Sequence, residues 1–197
     1  MSIRILPSIA SADLMNLRGA LEKTEDYVHI DIEDGNFVPN ITFGMKTVSG
    51  ICAAAKGKKI DVHLLVTNPL AYLDELQWLG VHAVCAHIEA LPYPLEFLNR
   101  ARTLDMKAGI ALNISTPLAA VQEIREEIDY LLLMTAEPDD KGCKLYPPAL
   151  RRAMEAAATW PVPVIADGGL DNSAVTALEE KGAYAVVLGR QYFREDE

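Results

Sequence analysis

Short apolar runs separated by amphipathic stretches recur along all 197 residues, and this alternation narrows the possible folds more than any other feature. Residues 3–9 read as a strand ending at Pro7-Ser8, after which Asp13 caps a helix carrying Leu14, Leu17 and Leu21 on one face. Strands follow at 27–35, 59–66, 81–88, 108–112, Tyr130–Met134, 162–166 and 183–188. Helices fall between them: 43–55, a stretch opened by Pro69 and stopped by Gly80 with Leu70, Leu73, Leu76 and Leu79 as its buried stripe, 95–104, a segment after Thr116-Pro117, 148–158 and Asn172–Glu180. Strands joined through helices run parallel with right-handed crossovers, so eight such units predict an α/β fold, a (β/α)8 TIM barrel. A doubly wound open sheet is the runner-up. After the eighth strand only residues 190–197 remain, which leaves a short or missing final helix, truncated or covered by a partner.

One domain over 1–197 is expected, because half the residues are apolar and the length suits a single core. The formal net charge of -10 speaks against nucleic acid as a partner, since phosphate contacts need clustered Lys and Arg. Cys52, Cys85 and Cys143 form no close pair, as in a reducing, cytoplasmic setting. No leader and no bilayer-length apolar run is evident, so no membrane partner is expected.

The chemistry concentrates at strand ends. In an extended strand alternate side chains share a face, so His29, Asp31 and Glu33 point one way and Val28, Ile30 and Ile32 the other. The fragments Asp61-Val62-His63 and Ala166-Asp167-Gly168-Gly169 bring further ligand types to neighbouring strand ends. Two His and two Asp make a credible site for one divalent cation, and such donors suit zinc, iron(II), manganese or cobalt, zinc first. Ser8, His87 and Asn113 also fall at C-terminal strand ends, the face where barrel enzymes place their chemistry. His87 reads equally well as a site residue and as a satisfied core histidine.

These residues also carry a resemblance. The motifs Pro7-Ser8-Ile9-Ala10-Ser11-Ala12-Asp13, His29-Ile30-Asp31 running on to Asp34-Gly35 and Pro39-Asn40, His63 to Val66, Ala111 to Asn113, Met134-Thr135 and Asp167-Gly168-Gly169 resemble the ribulose-phosphate 3-epimerase family over nearly the whole chain. The resemblance implies a metal-dependent epimerase inverting C3 of a ketose phosphate, with His29, Asp31, His63 and Asp167 as metal ligands. It makes Asp31 and Asp167 the catalytic acid-base pair, one ionised and one protonated at the start. Ser8, with His87 or Glu89 behind the ligands, would orient ligands and substrate hydroxyls. The expected substrate-binding set is Ser8, Glu33, His63, Gly168, Gly169, Gly189 and Arg190. The partner is a small-molecule sugar phosphate, and the expected assembly is a homo-oligomer.

Three departures suggest a divergent branch of that family. Glu33 stands where Met is usual and is aimed by strand periodicity into the pocket. Residues 137–144, which include Asp139, Asp140 and Lys141, replace a glycine-rich lid over the phosphate. Arg190 follows Gly189 where a small residue is common, so a guanidinium takes over part of the phosphate site. Two rivals remain: a barrel that binds a sugar phosphate without turning it over, and another isomerase or aldolase. The aldolase lacks a strand-end lysine for a Schiff base.

Overall fold

The computed structural model describes residues 2–138 and 144–193. Asp139, Asp140, Lys141 and Cys143, in the segment expected to replace the lid, and the last four residues of the chain lie outside that range. The strands are β1 (Arg4–Pro7), β2 (Tyr27–Glu33), β3 (Lys59–Leu65), β4 (Ala83–His87), β5 (Lys107–Leu112), β6 (Tyr130–Met134), β7 (Val164–Asp167) and β8 (Ala185–Leu188). They pair in the order β1-β8-β7-β6-β5-β4-β3-β2, every ladder parallel. In an open sheet β1 and β2 would be distant edges. Here a parallel bridge between Ser8 and His29 joins them, so the sheet curls into the TIM barrel.

Helices α1 (Leu17–Lys23), α2 (Met45–Ala54), α3 (Leu73–Trp78), α4 (Pro94–Thr103), α5 (Pro147–Thr159), α6 (Asn172–Glu180) and α7 (Arg190–Phe193) follow their strands. Among the described residues α7 is a single turn, as the short final helix requires. The strands divide their side chains between two apolar layers. Val28, Ile30, Ile32, Val62 and Leu64 pack outward with Leu73, Leu76 and Phe97 from the helices, all at most 2 % exposed. Each such buried side chain contributes roughly 1.5–3 kcal/mol. Leu6, Cys85, Ala111, Tyr130, Leu132, Ile165 and Val187 fill the barrel interior. Gly80, at φ 76, supplies the left-handed turn that ends α3.

Register places the chemistry. Between β2 and β3, His29 lies beside Asp61 and Asp31 beside His63, so a slip of one residue would turn these polar side chains into the outer apolar layer. Two helical expectations need correction. Residues 14–16 form a separate 3₁₀ turn, because the Asn16 side chain accepts the Gly19 amide at 3.2 Å and starts α1 there. Leu14 is accordingly 55 % exposed rather than on a buried face, and Asp13 caps the short turn. The segment after Pro117, Leu118–Glu127, is a 3₁₀ helix. Its core-facing residues Leu118, Val121 and Ile124 are three apart, the repeat of a helix with three residues per turn.

Candidate active site and metal centre

Strands β2, β3 and β7 bring His29, Asp31, His63 and Asp167 to one point at the C-terminal mouth, with one ligand atom of each within 4.8 Å of the others. Both imidazoles are fully buried, and the Asp31 and Asp167 side chains are 13 % and 14 % exposed, facing the cavity. Asp31 Oδ1 stands 3.1 Å from His29 Nε2 and 3.2 Å from His63 Nδ1. Asp167 Oδ2 approaches the same nitrogens at 4.0 and 3.5 Å. The Ser8 hydroxyl donates to Asp31 Oδ2 at 2.6 Å, which fixes the carboxylate and leaves Oδ1 turned to the cluster. Burial pulls both imidazoles toward the neutral form, but the neighbouring carboxylates outweigh it and raise both pKa values, that of His29 strongly. Burial likewise opposes ionisation of Asp31, yet His29 and His63 hold its pKa well below the carboxylate range. The donor set therefore calls for positive charge at its centre, which protons supply when no metal does. Two nitrogens and two oxygens at this spacing fit a divalent cation.

The second ring nitrogens are engaged as well. His63 Nε2 lies 2.9 Å from His87 Nε2, a contact in which one ring must donate and the other accept. With His63 Nδ1 turned to the carboxylates, the network assigns the proton to His63 Nε2 and leaves His87 as acceptor, its own Nδ1–H directed at Glu89 Oε2 at 3.3 Å. Burial lowers the His87 pKa to about 4, consistent with a neutral ring. Glu89 is drawn down to about 2: burial opposes its ionisation, but the His87, Thr116 and Asn113 donors prevail. His87 is thus fully buried behind a cluster residue and satisfied at both nitrogens. His29 uses Nδ1 differently, donating to Asp61 Oδ2 at 2.7 Å.

The cluster floors a cavity of about 1190 Å³. Glu33 lines it, as strand alternation implies, and accepts a 2.8 Å hydrogen bond from Asn40 Nδ2 on Oε2. Gly168, Gly169, Gly189 and Arg190 form the wall between β7 and α7. Gly168 and Gly169 hold φ of 114 and 64, and a Cβ on Gly168 would lie 2.8 Å from the Ala136 backbone nitrogen, so only glycine fits that turn. Arg190 is exposed and is the one Lys or Arg lining the cavity among the described residues, a lining it shares with Asp31, Glu33, Glu137, Asp167 and Asp171. Sequence reasoning missed several supports. Thr42 donates to the Asp31 carbonyl at 2.6 Å, Asn40 holds Glu33, and Arg152 clamps the carbonyls of Asn113 and Met134 at 2.8 and 3.0 Å. Asp61 was detectable, being two residues before His63 and so on the same strand face.

Comparison with known proteins places the chain in a family. Residues 4–193 match the Ribulose-phosphate 3 epimerase family. The chain is 33 % identical to a ribulose-phosphate 3-epimerase of Rhodobacter capsulatus, covering 98 % of this chain and 87 % of the relative. It is 30 % identical to one from Bacillus subtilis, covering 95 % and 90 %. A relative from Oryza sativa, 30 % identical, is named a cytoplasmic isoform. Among solved structures, a mutant tryptophan synthase alpha-subunit from Pyrococcus furiosus superposes with a TM-score of 0.73 at 16 % identity, over 96 % of this chain and 87 % of that one, which is a likeness of fold alone. With its family match running from β1 to α7, this chain belongs to the ribulose-phosphate 3-epimerase family.

Proposed function

We propose that the protein is a metal-dependent epimerase that inverts C3 of a ketose phosphate, a pentulose or hexulose phosphate such as ribulose 5-phosphate. The observation that carries this reading is the convergence of Asp31 and Asp167 on the same two imidazole nitrogens at the mouth of the cavity. A divalent cation held by His29, Asp31, His63 and Asp167, zinc first, would act as a Lewis acid toward negative charge developing on the substrate oxygens. Asp31 and Asp167 reach the cluster from β2 and β7, strands separated by β8 and β1, and so can serve opposite faces of C3. One carboxylate removes the C3 proton, the C–H electrons form the C2–C3 double bond of a 2,3-enediolate as the C2 carbonyl π pair moves onto its oxygen, and the other carboxyl returns a proton to C3 from the opposite face as the carbonyl re-forms. Ser8 holds Asp31 in place for that transfer.

The cavity exceeds the roughly 300–1,000 Å³ of ordinary ligand pockets, so volume does not select a pentulose over a hexulose. Charge does more. Glu33 presents a carboxylate to the substrate, and its replacement, Glu33→Met, should raise kcat/KM for ribulose 5-phosphate relative to the native substrate. An unchanged ratio of the two values would remove Glu33 from substrate selection. At the other end Gly168, Gly169 and Gly189 offer backbone to the phosphate, and Arg190 supplies the one cation among the described residues of an acidic wall. Losing a charge-assisted contact costs roughly 1.5–3 kcal/mol, so Arg190→Ala should raise KM for the phosphorylated sugar about tenfold or more while sparing the free sugar. Equal effects on both sugars would return Arg190 to the surface.

The buried unpaired thiols of Cys52 and Cys85 suit a cytoplasmic protein, and no helix among the described residues is long and apolar enough to cross a membrane. A homo-oligomer remains the proposed assembly, and the sugar phosphate the proposed partner. The function is tested by following epimerisation of a panel of pentulose and hexulose phosphates beside elemental analysis. Turnover of one of them with about one metal per chain is expected. A metal-loaded protein inert toward every ketose phosphate would instead describe a binding barrel.

A further inference from the structure

Beneath the cluster, inside the barrel, a second polar group links strands that are not neighbours. Asp61 on β3 and Tyr130 on β6 are 5 % and 6 % exposed, and the Tyr130 hydroxyl crosses the interior to donate to Asp61 Oδ1 at 3.0 Å. The other oxygen, Oδ2, accepts from His29 Nδ1 at 2.7 Å. The Tyr130 ring fills the space where a Cβ on Gly109 of β5 would stand, so any side chain there would collide with it and the interior is shaped to admit a large aromatic at this point. Packing alone would be met by phenylalanine, yet the surrounding layer of Leu6, Cys85, Ala111 and Ile165 holds a hydroxyl and a carboxylate that satisfy each other.

We propose that Asp61 and Tyr130 are positioning residues for the metal centre. Tyr130 anchors Asp61, and Asp61 keeps the His29 proton on Nδ1 so that the Nε2 lone pair faces Asp31, Asp167 and His63. The inference rests on the reading of that cluster as a metal site and deepens it. With Tyr130 donating to Oδ1, the Asp61 side chain has one oxygen left, and it is fixed on His29. Without Tyr130 nothing on Oδ1 would hold the carboxylate against rotation, and Oδ2 would no longer be fixed on Nδ1–H. His63 is held the opposite way, its proton on Nε2 toward His87. The two histidines should therefore bind a metal through different nitrogens, His29 through Nε2 and His63 through Nδ1.

Zinc affinity measured against a chelator, with no substrate present, tests this. Asp61→Asn should weaken zinc binding about 10- to 100-fold, Tyr130→Phe about three- to tenfold, and Tyr130→Phe added to Asp61→Asn should change it less than about twofold further. In the zinc-loaded parent, imidazole ¹⁵N spectra should show His29 protonated at Nδ1 and His63 at Nε2. Tyr130→Phe keeps the ring, so a lowered melting temperature with unchanged affinity would reduce Tyr130 to packing and overturn the proposal. So would additive effects of the two substitutions, or His29 protonated at Nε2. A parent that binds no zinc, manganese, cobalt or iron(II) would instead overturn the metal reading, and the positioning role with it.

Discussion

Asp167→Asn is expected to lower turnover by about 10³- to 10⁴-fold while the protein stays folded, because an amide can neither accept nor return the C3 proton. The side chain is 14 % exposed at the cavity floor and asparagine matches its size, so the loss should fall on kcat rather than on stability. Asp31→Asn should do the same, with a further effect: the Ser8 hydroxyl, now donating to Asp31 at 2.6 Å, loses its ionised acceptor. Since both are proposed ligands, metal content is to be determined beside the rate. Turnover within tenfold of the parent, with metal bound, would refute the two-carboxylate mechanism.

The second large effect concerns His63→Ala, which should abolish stoichiometric metal binding. His63 is fully buried, and its Nδ1 lies 3.2 Å from Asp31 and 3.5 Å from Asp167, bridging the two carboxylates, so its removal splits the cluster. The competing proton also makes binding depend on pH. In the metal-free protein the carboxylates raise the pKa values of His29 and His63 above the ordinary value of 6.5. Such groups bind protons more tightly folded than unfolded. Their contribution to metal-free stability is therefore fully present below the unfolded value and lost as pH rises through the raised ones. A metal must displace the same protons, so its affinity should rise at least about tenfold from about pH 6 to about pH 8 and level off above the raised values. Affinity independent of pH would mean that the imidazoles are not the ligands.

Much of this site was legible because strand periodicity is rigid. Once Tyr27–Glu33 is a strand, His29, Asp31 and Glu33 must share a face, and the structure places all three on the inner face, with Asp31 and Glu33 at the cavity. The eight alternating units likewise sufficed for the barrel, whose closure follows from twist and register rather than from any one residue. What escaped detection depends on long-range geometry. The partners Asp61 and Tyr130 are 69 residues apart, and a tyrosine opening an apolar strand carries no mark of what its hydroxyl will reach. The role of His87 was undecided because its strand position fits both a core and a site residue, and only the 2.9 Å approach to His63 separates them. The 3₁₀ segment Leu118–Glu127 has ordinary helix formers, so its three-residue apolar spacing was the single available signal.

The central claim is that this barrel labilises the C3 proton of a ketose phosphate. Incubating ribulose 5-phosphate, or the hexulose phosphate preferred in the substrate panel, with metal-loaded protein in deuterated water and following C3 by proton NMR tests it most directly. The account predicts that the C3 signal disappears with the appearance of the epimer, that C1 keeps its protons, and that Asp167→Asn and chelator-treated protein leave C3 untouched. Retention of the C3 proton by metal-loaded protein, or exchange confined to C1, would contradict it.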